Sequence, residues 1–174
     1  ISDYAKGLIS STLAEKTVRE CKRLGKPLLI DPKVEHFDYY KGASLVTPNN
    51  IEAALASAVY IDGPDSLKKA GETLLKRLEC EALLITRGEQ GMSLFEADNR
   101  QTNIPTVAQE VFDVSGAGDT VIAVLALAIA SGASYREAAV LANFAAGVVV
   151  GKIGTATLTE DELMSAVTAG LKKP

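Results

Sequence analysis

The sequence is short of histidine, cysteine and long apolar runs, and each shortage closes a class of function. Its single histidine, His36, has no second histidine or carboxylate at metal-ligand spacing, so it is expected to be a loop residue rather than a ligand or a catalytic base. The two cysteines, Cys21 and Cys80, lie far apart in the chain, which suits two reduced, half-buried thiols and argues against a disulfide framework. The longest unbroken apolar run, Val121 to Ala130, is ten residues, about half of what a membrane span needs. A charged-then-apolar leader is missing, and so is an initiator methionine. Ile1-Ser2-Asp3 opens directly into chemistry-bearing residues, as if a strand had been cut just before it. The expectation is a cytoplasmic fragment of a longer protein.

What is present describes a packed domain. Of the 174 residues, 47% are hydrophobic and 23% charged, which supports a core and excludes a disordered acidic tail. A net charge of −4 and a pI near 5.1 argue against a general nucleic-acid binder. A mass of 18.3 kDa suits one domain or part of a larger one.

Periodicity predicts a helix from Thr12 to Leu24, capped by Thr12 with Glu15 and stopped at Gly25. Leu28 to Ile30 and Leu45 to Thr47 are short continuous apolar runs of the kind that form strands buried on both faces. Helices are expected from Asn49 to Ala58 and from about Ser66 to Leu78, and a strand from Ala82 to Thr86. Gly88 to Gly91 turns the chain into Met92-Ser93-Leu94-Phe95, an expected antiparallel neighbour. Val111 to Val114 leads as a strand into a glycine-rich turn and a helix hydrophobic around most of its circumference, hence buried, up to Ser131. Ser134 with Glu137 caps a further helix reaching about Gly151, and Thr159 with Glu162 caps a last one ending near Gly170. Strands alternating with helices predict a layered α/β fold with a mostly parallel sheet, in one domain spanning residues 1–174.

The sharpest chemical feature is Asp113-Val114-Ser115-Gly116-Ala117-Gly118-Asp119-Thr120, where a helix begins. Small residues let the backbone approach a ligand, and first-turn N–H groups with the positive end of the helix dipole suit an anion, above all a phosphate. A plainer reading is a tight turn in which Asp119 only complements the dipole. The loop has no Walker A lysine, and Val121 stands where a dinucleotide fingerprint wants its third glycine. Beside a bound phosphate, an ionised Asp119 is placed to accept the proton of an attacking hydroxyl. Asn49-x-x-Glu52 is itself a capping box, and Thr86-Arg87-Gly88 also reads as an ordinary strand end and turn. Lys6 and Lys33 each follow an expected strand end, where open α/β sheets bind ligands, though both also suit solvated surface positions.

Together, Gly116-Ala117-Gly118-Asp119 after Asp113, Asn49-x-x-Glu52 upstream, and Thr86-Arg87-Gly88-x-x-Gly91 between them resemble the ribokinase (PfkB-type) carbohydrate kinase family. The resemblance implies a ribokinase-like α/β fold of which this chain is the C-terminal, nucleotide-binding portion. It implies Gly116, Ala117 and Gly118 as the anion hole for the transferring phosphoryl group and Asp119 as catalytic base. It implies Asn49 and Glu52 as organisers of Mg2+ and phosphates, Glu52 through water, with Thr86, Gly88 and Asn143 at the nucleotide; the position of Lys33 after a strand end places it near those phosphates. The cofactors implied are ATP and Mg2+. The carbonyl-rich loop Gly151 to Thr155 is open either to a monovalent cation such as K+ or to a plain helix-end turn.

Within the family, Ser2-Asp3-Tyr4-Ala5-Lys6-Gly7, Asp31-Pro32-Lys33, Thr47-Pro48-Asn49 and Gly151-Lys152-Ile153-Gly154-Thr155-Ala156 are similar to kinases acting on heptose 7-phosphate in ADP-heptose synthesis. Val121-Ile122-Ala123-Val124, where many sugar kinases carry a glycine, points the same way. The similarity implies phosphorylation of D-glycero-β-D-manno-heptose 7-phosphate at O1 for lipopolysaccharide core synthesis, by a full-length homodimer that binds neither nucleic acid nor membrane. Other PfkB-type acceptors (ribose, fructose, a nucleoside) and a non-catalytic nucleotide-binding module are the alternatives.

Overall fold

The computed structural model describes residues 1–108 and 111–171. Two compact units make up the chain: Ile1–Arg87 with Ser93–Asn103, and Gly88–Met92 with Ile104–Pro174.

The first unit holds the sheet, whose strands run in the order β1 (Leu29–Ile30), β2 (Leu45–Val46), β3 (Ala82–Thr86), β4 (Met92–Glu96), β5 (Gln101–Ile104). β1, β2 and β3 are parallel, with Leu29 opposite Leu45 and Leu45 opposite Ala82. Ile1–Asp3 extends the parallel part: Ser2 bridges to Asp31, and the Asp3 N–H donates to the Asp31 carbonyl at 2.8 Å. β4 is antiparallel to β3, its end returning to the start of β3 through the Ala97 N–H on Glu81 O. The expected α/β sheet is therefore present but mixed, parallel from β1 to β3 and antiparallel beyond β3. β5 carries no strand signal in the sequence, because Gln101-Thr102-Asn103-Ile104 has only one buried residue and no apolar run.

Helices α1 (Ser11–Arg23), α2 (Asn50–Ser57) and α3 (Pro64–Leu78) accompany this sheet. α1 starts earlier than its sequence signal: Ser10, not Thr12, is the cap, its hydroxyl accepting from the Leu13 N–H. Thr12 and Glu15 are both exposed. The core joins Ile30, Val46, Leu83 and Ile85 of the strands to Leu67, Leu74 and Leu78 of α3. Phe37 and Tyr40 complete it from a 3₁₀ turn, Val34–Tyr40, in the Asp31-to-Ala43 connection. Both cysteines are free, but only Cys21 is half-buried: Cys80 lies in the core, where burial pushes its thiol up to about 12.

The second unit is built on α4 (Ala117–Ala130), α5 (Tyr135–Val150) and α6 (Glu160–Leu171). α4 packs on α5 with Val121, Val124, Leu125 and Ala128 buried on one side and Ala138, Ala142, Ala145 and Val149 on the other. Alanines at these positions let the helix axes approach closely. α4 is not buried all round as expected, since Ala123, Ala126 and Leu127 face out, Leu127 at 70% exposure. The expected strand over Val111 to Val114 is absent too. Its residues are largely exposed, and the Phe112 and Asp113 N–H groups donate to the Val150 carbonyl at the end of α5, so a helix end takes the bonds a sheet would have taken. The two capping boxes form as expected, Ser134 with Glu137 and Thr159 with Glu162. Among the described residues, no helix is long and apolar enough to cross a membrane.

Candidate active site

In the first unit the candidate residues gather at the C-terminal ends of the parallel strands, the edge at which open α/β sheets hold ligands. β2 runs out at Thr47-Pro48 into Asn49, the N-cap of α2, and Asn49 bridges to Thr86 at the end of β3. The capping box is reciprocal: Asn49 Oδ1 accepts from the Glu52 N–H, and Glu52 Oε2 accepts from the Asn49 N–H, both at 2.9 Å. Glu52 is buried, 8% exposed. Its second oxygen, Oε1, accepts from Lys33 Nζ at 2.8 Å. That hydrogen bond outweighs desolvation and raises the Lys33 ammonium above its ordinary value. Asn49, Glu52, Lys33 and Thr86 are thus brought together.

Asp3 belongs to the same edge and was given no role from sequence. Its carboxylate, 2% exposed, accepts from Tyr40 Oη at 2.6 Å and from the Ala5 N–H at 2.8 Å, and lies 2.7 Å from His36 Nδ1. A carboxylate only accepts, so the imidazole carries its proton on Nδ1 there. Burial pulls Asp3 upward, but the bonds from Tyr40, Ala5 and His36 prevail and hold it below the ordinary carboxylate value. His36 is therefore not the isolated loop residue its spacing suggested; it also stacks on Tyr39, centroids 4.6 Å apart. The available signal was the i, i+4 spacing of His36 and Tyr40, but their shared partner is more than 30 residues away, beyond any local pattern.

In the second unit, Gly88 starts a short 3₁₀ turn, Gly88–Gln90, at φ +57°. Gly116 is the N-cap of α4 in the left-handed conformation, φ +79°, which a side chain would strain. A Cβ on Gly116 would also stand 3.2 Å from the Thr155 methyl, so the Gly151 to Thr155 loop lies against this turn. Asp113 shapes the approach. Its side chain accepts from the Ser115 N–H at 2.8 Å, and that bond, with help from the Ser115 hydroxyl and Gly154 N–H, holds its carboxyl below the ordinary value. Ala117 donates its N–H to Val114 O at 3.2 Å, and Thr120 donates to Gly116 O at 2.9 Å, where the helical ladder begins. Gly118 and Asp119 lie between them in the first turn, both exposed. Asn143 is buried, its Nδ2 donating to Pro105 O at 2.8 Å.

Residues 5–162 match the pfkB family carbohydrate kinase profile. The chain belongs to the pfkB family of carbohydrate kinases. Curated relatives include "Bifunctional protein HldE" of Geotalea uraniireducens, 48% identical over 167 residues, which are 96% of this chain and 34% of that protein. The protein of the same name from Desulfatibacillum aliphaticivorans is 49% identical over 162 residues, 93% of this chain and 33% of that one. This pfkB chain thus spans about a third of the length of the curated relatives it matches. Its fold matches an Arabidopsis thaliana ribokinase complexed with ribose and ATP, at a TM-score of 0.80 and 22% identity over 91% of this chain and 53% of that one. It also matches an Escherichia coli phosphofructokinase-2 in complex with potassium, at a TM-score of 0.82 and 17% identity over 92% and 53%. The ribokinase-like fold expected from the motifs is therefore the fold of this chain.

Proposed function

We propose that the chain is the C-terminal, nucleotide-binding part of a single ribokinase-like domain that transfers the γ-phosphoryl group of ATP to O1 of D-glycero-β-D-manno-heptose 7-phosphate. The product would be the 1,7-bisphosphate, feeding ADP-heptose and lipopolysaccharide core synthesis in the cytoplasm, and the full-length enzyme would be a homodimer. The observation that carries the reading is the opening of α4: a left-handed Gly116, then Gly118 and an exposed Asp119 within the first turn. The first turn of a helix, with the positive end of its dipole, suits the developing charge of a transferring phosphoryl group at Gly116, Ala117 and Gly118. The Asp119 carboxylate accepts the proton of the acceptor hydroxyl. Relatives at 48% identity named "Bifunctional protein HldE" support the heptose assignment.

The magnesium reading is consistent with Glu52, whose Oε1 lies outside the cap, accepts from Lys33, and would meet the ion through water. When bound, Mg2+ supplies charge neutralisation along the phosphates. Asn49 orients Glu52, Lys33 stands at the phosphates, and Thr86, Gly88 and Asn143 line the nucleotide. The Gly151 to Thr155 carbonyls are offered to a monovalent cation such as K+.

Asp119→Asn in the full-length kinase is the test. It should keep ATP affinity and lower kcat by at least about 10²-fold, the lower end for a lost general base. A near-normal kcat removes Asp119 from that role, and a wild-type protein that binds ATP without turnover leaves a binding module instead.

A further inference from the structure

In this structure both oxygens of Glu52 are engaged, one by the amide it caps and the other by Lys33. The two bonds differ in kind. The Asn49 N–H is fixed by the backbone that starts α2, whereas Lys33 ends in an ammonium on a flexible stem, its side chain 39% exposed against 10% for Glu52. The root of that stem does not move freely. Lys33 is the N-cap of the Val34–Tyr40 turn, which Asp3 holds through His36 and Tyr40. A pinned backbone with a mobile cation is suited to a change of partner. Other groups around the ammonium are the Tyr4 ring, 5.8 Å from Nζ, and the charge of Asp31. Neither occupies a carboxylate oxygen of Glu52.

While Lys33 sits on Oε1, a hydrated divalent cation approaching that oxygen meets a like charge first. A polyphosphate gives the ammonium a better partner and removes the obstacle in one movement. We propose that Lys33 is a positioning residue acting through Glu52: it holds the carboxylate as an ion pair in the nucleotide-free kinase, then passes to a phosphate oxygen when ATP arrives, freeing Oε1 for a water of the magnesium ion. No proton or covalent bond changes hands, and each charge leaves one opposite partner for another. This inference rests on the kinase reading given above.

The exchange makes metal-free and metal-bound nucleotide respond in opposite directions, which a merely structural lysine would not. The full-length protein is titrated calorimetrically with ATP in EDTA and with MgATP. Glu52→Gln keeps the cap, since glutamine also serves at that position, but releases Lys33. It should bind metal-free ATP about 3-fold more tightly, the worth of one exposed ion pair, and MgATP more weakly. Lys33→Met should bind metal-free ATP about tenfold more weakly, the loss of one charge-assisted hydrogen bond, and Lys33→Arg should recover most of it. In Lys33→Met/Glu52→Gln the gain from Glu52→Gln should vanish. Equal weakening of both nucleotide forms by Glu52→Gln overturns the exchange, as does unchanged metal-free binding in both Lys33 variants. Wild-type protein that binds no ATP removes the kinase reading with it, whereas wild-type binding with indifferent Lys33 variants removes the exchange alone.

Discussion

At the scale of single residues, Asp3 is the most constrained group at the strand-end edge. A buried carboxylate with three hydrogen-bonding neighbours contributes stability as long as it is ionised, because its folded value lies below its unfolded one. The contribution is complete above about pH 4, the unfolded value for an aspartate, and is lost as the pH falls through the lower folded value. Replacing Asp3 with Asn removes the charge and leaves one acceptor oxygen for the Tyr40, His36 and Ala5 donors, so at least one of them loses its partner at a buried site. Urea unfolding at pH 7 should show a loss of about 3 kcal/mol, the usual penalty for breaking a buried charged network. The gap between wild type and Asp3→Asn should narrow below pH 4, and a constant gap would place the Asp3 contribution elsewhere than in its charge. Tyr40 belongs to the same network: burial, then the bond to Asp3, drives its hydroxyl upward and keeps it a neutral donor. Lys33 is tied to this network through the backbone of the turn it caps.

At the scale of elements, the short strands are credible only with their neighbours. β1 and β2 have two residues each, and they persist because Leu29, Ile30, Leu45 and Val46 are all buried. α3 shows how tightly the layers fit. Gly71 is buried in its middle, and a Cβ there would lie 2.5 Å from the Phe95 ring of β4. The glycine is a matter of packing, not of backbone conformation. Gly71→Ala should therefore destabilise by about 1–3 kcal/mol despite its better helix propensity, as overpacking does. Adding Phe95→Leu should return part of that loss in a thermal-denaturation cycle, and additive effects would separate the two residues. Capping boxes are legible where the two partners lie three residues apart at a helix start. Thr12 with Glu15 shows the limit of that signal, because Ser10 competes for the same helix start and has it.

At the scale of the whole molecule, family membership and substrate separate. The fold is shared with kinases of ribose and of fructose 6-phosphate at 22% identity or less, so architecture alone does not choose the acceptor. The heptose phosphate proposed above is therefore a question for the full-length protein, whose curated relatives of nearly 50% identity extend to about three times the length of this chain. Profiling the full-length enzyme with ATP against heptose 7-phosphate, ribose, fructose 6-phosphate and a nucleoside should give a kcat/KM for the heptose phosphate at least about 10²-fold above the rest. That margin is what unpaired polar groups in a mismatched site impose. Comparable values for ribose or fructose 6-phosphate would move the assignment to another member of the family.

Local chemistry was enough to establish the parallel-strand pattern, the glycine-rich turn at Gly116 to Gly118 that opens a helix with Asp119 behind it, and the Asn49–Glu52 box, because each depends on residues within a few positions of one another. Contacts across long stretches of chain were decided only by folding. These are Asp3 with His36 and Tyr40, Lys33 on Glu52, and the Val111 to Val114 segment bonding to the end of α5 rather than to a strand. Spacing carries no record of such pairs, since their energy comes from burial and from groups that meet only once the sheet has assembled.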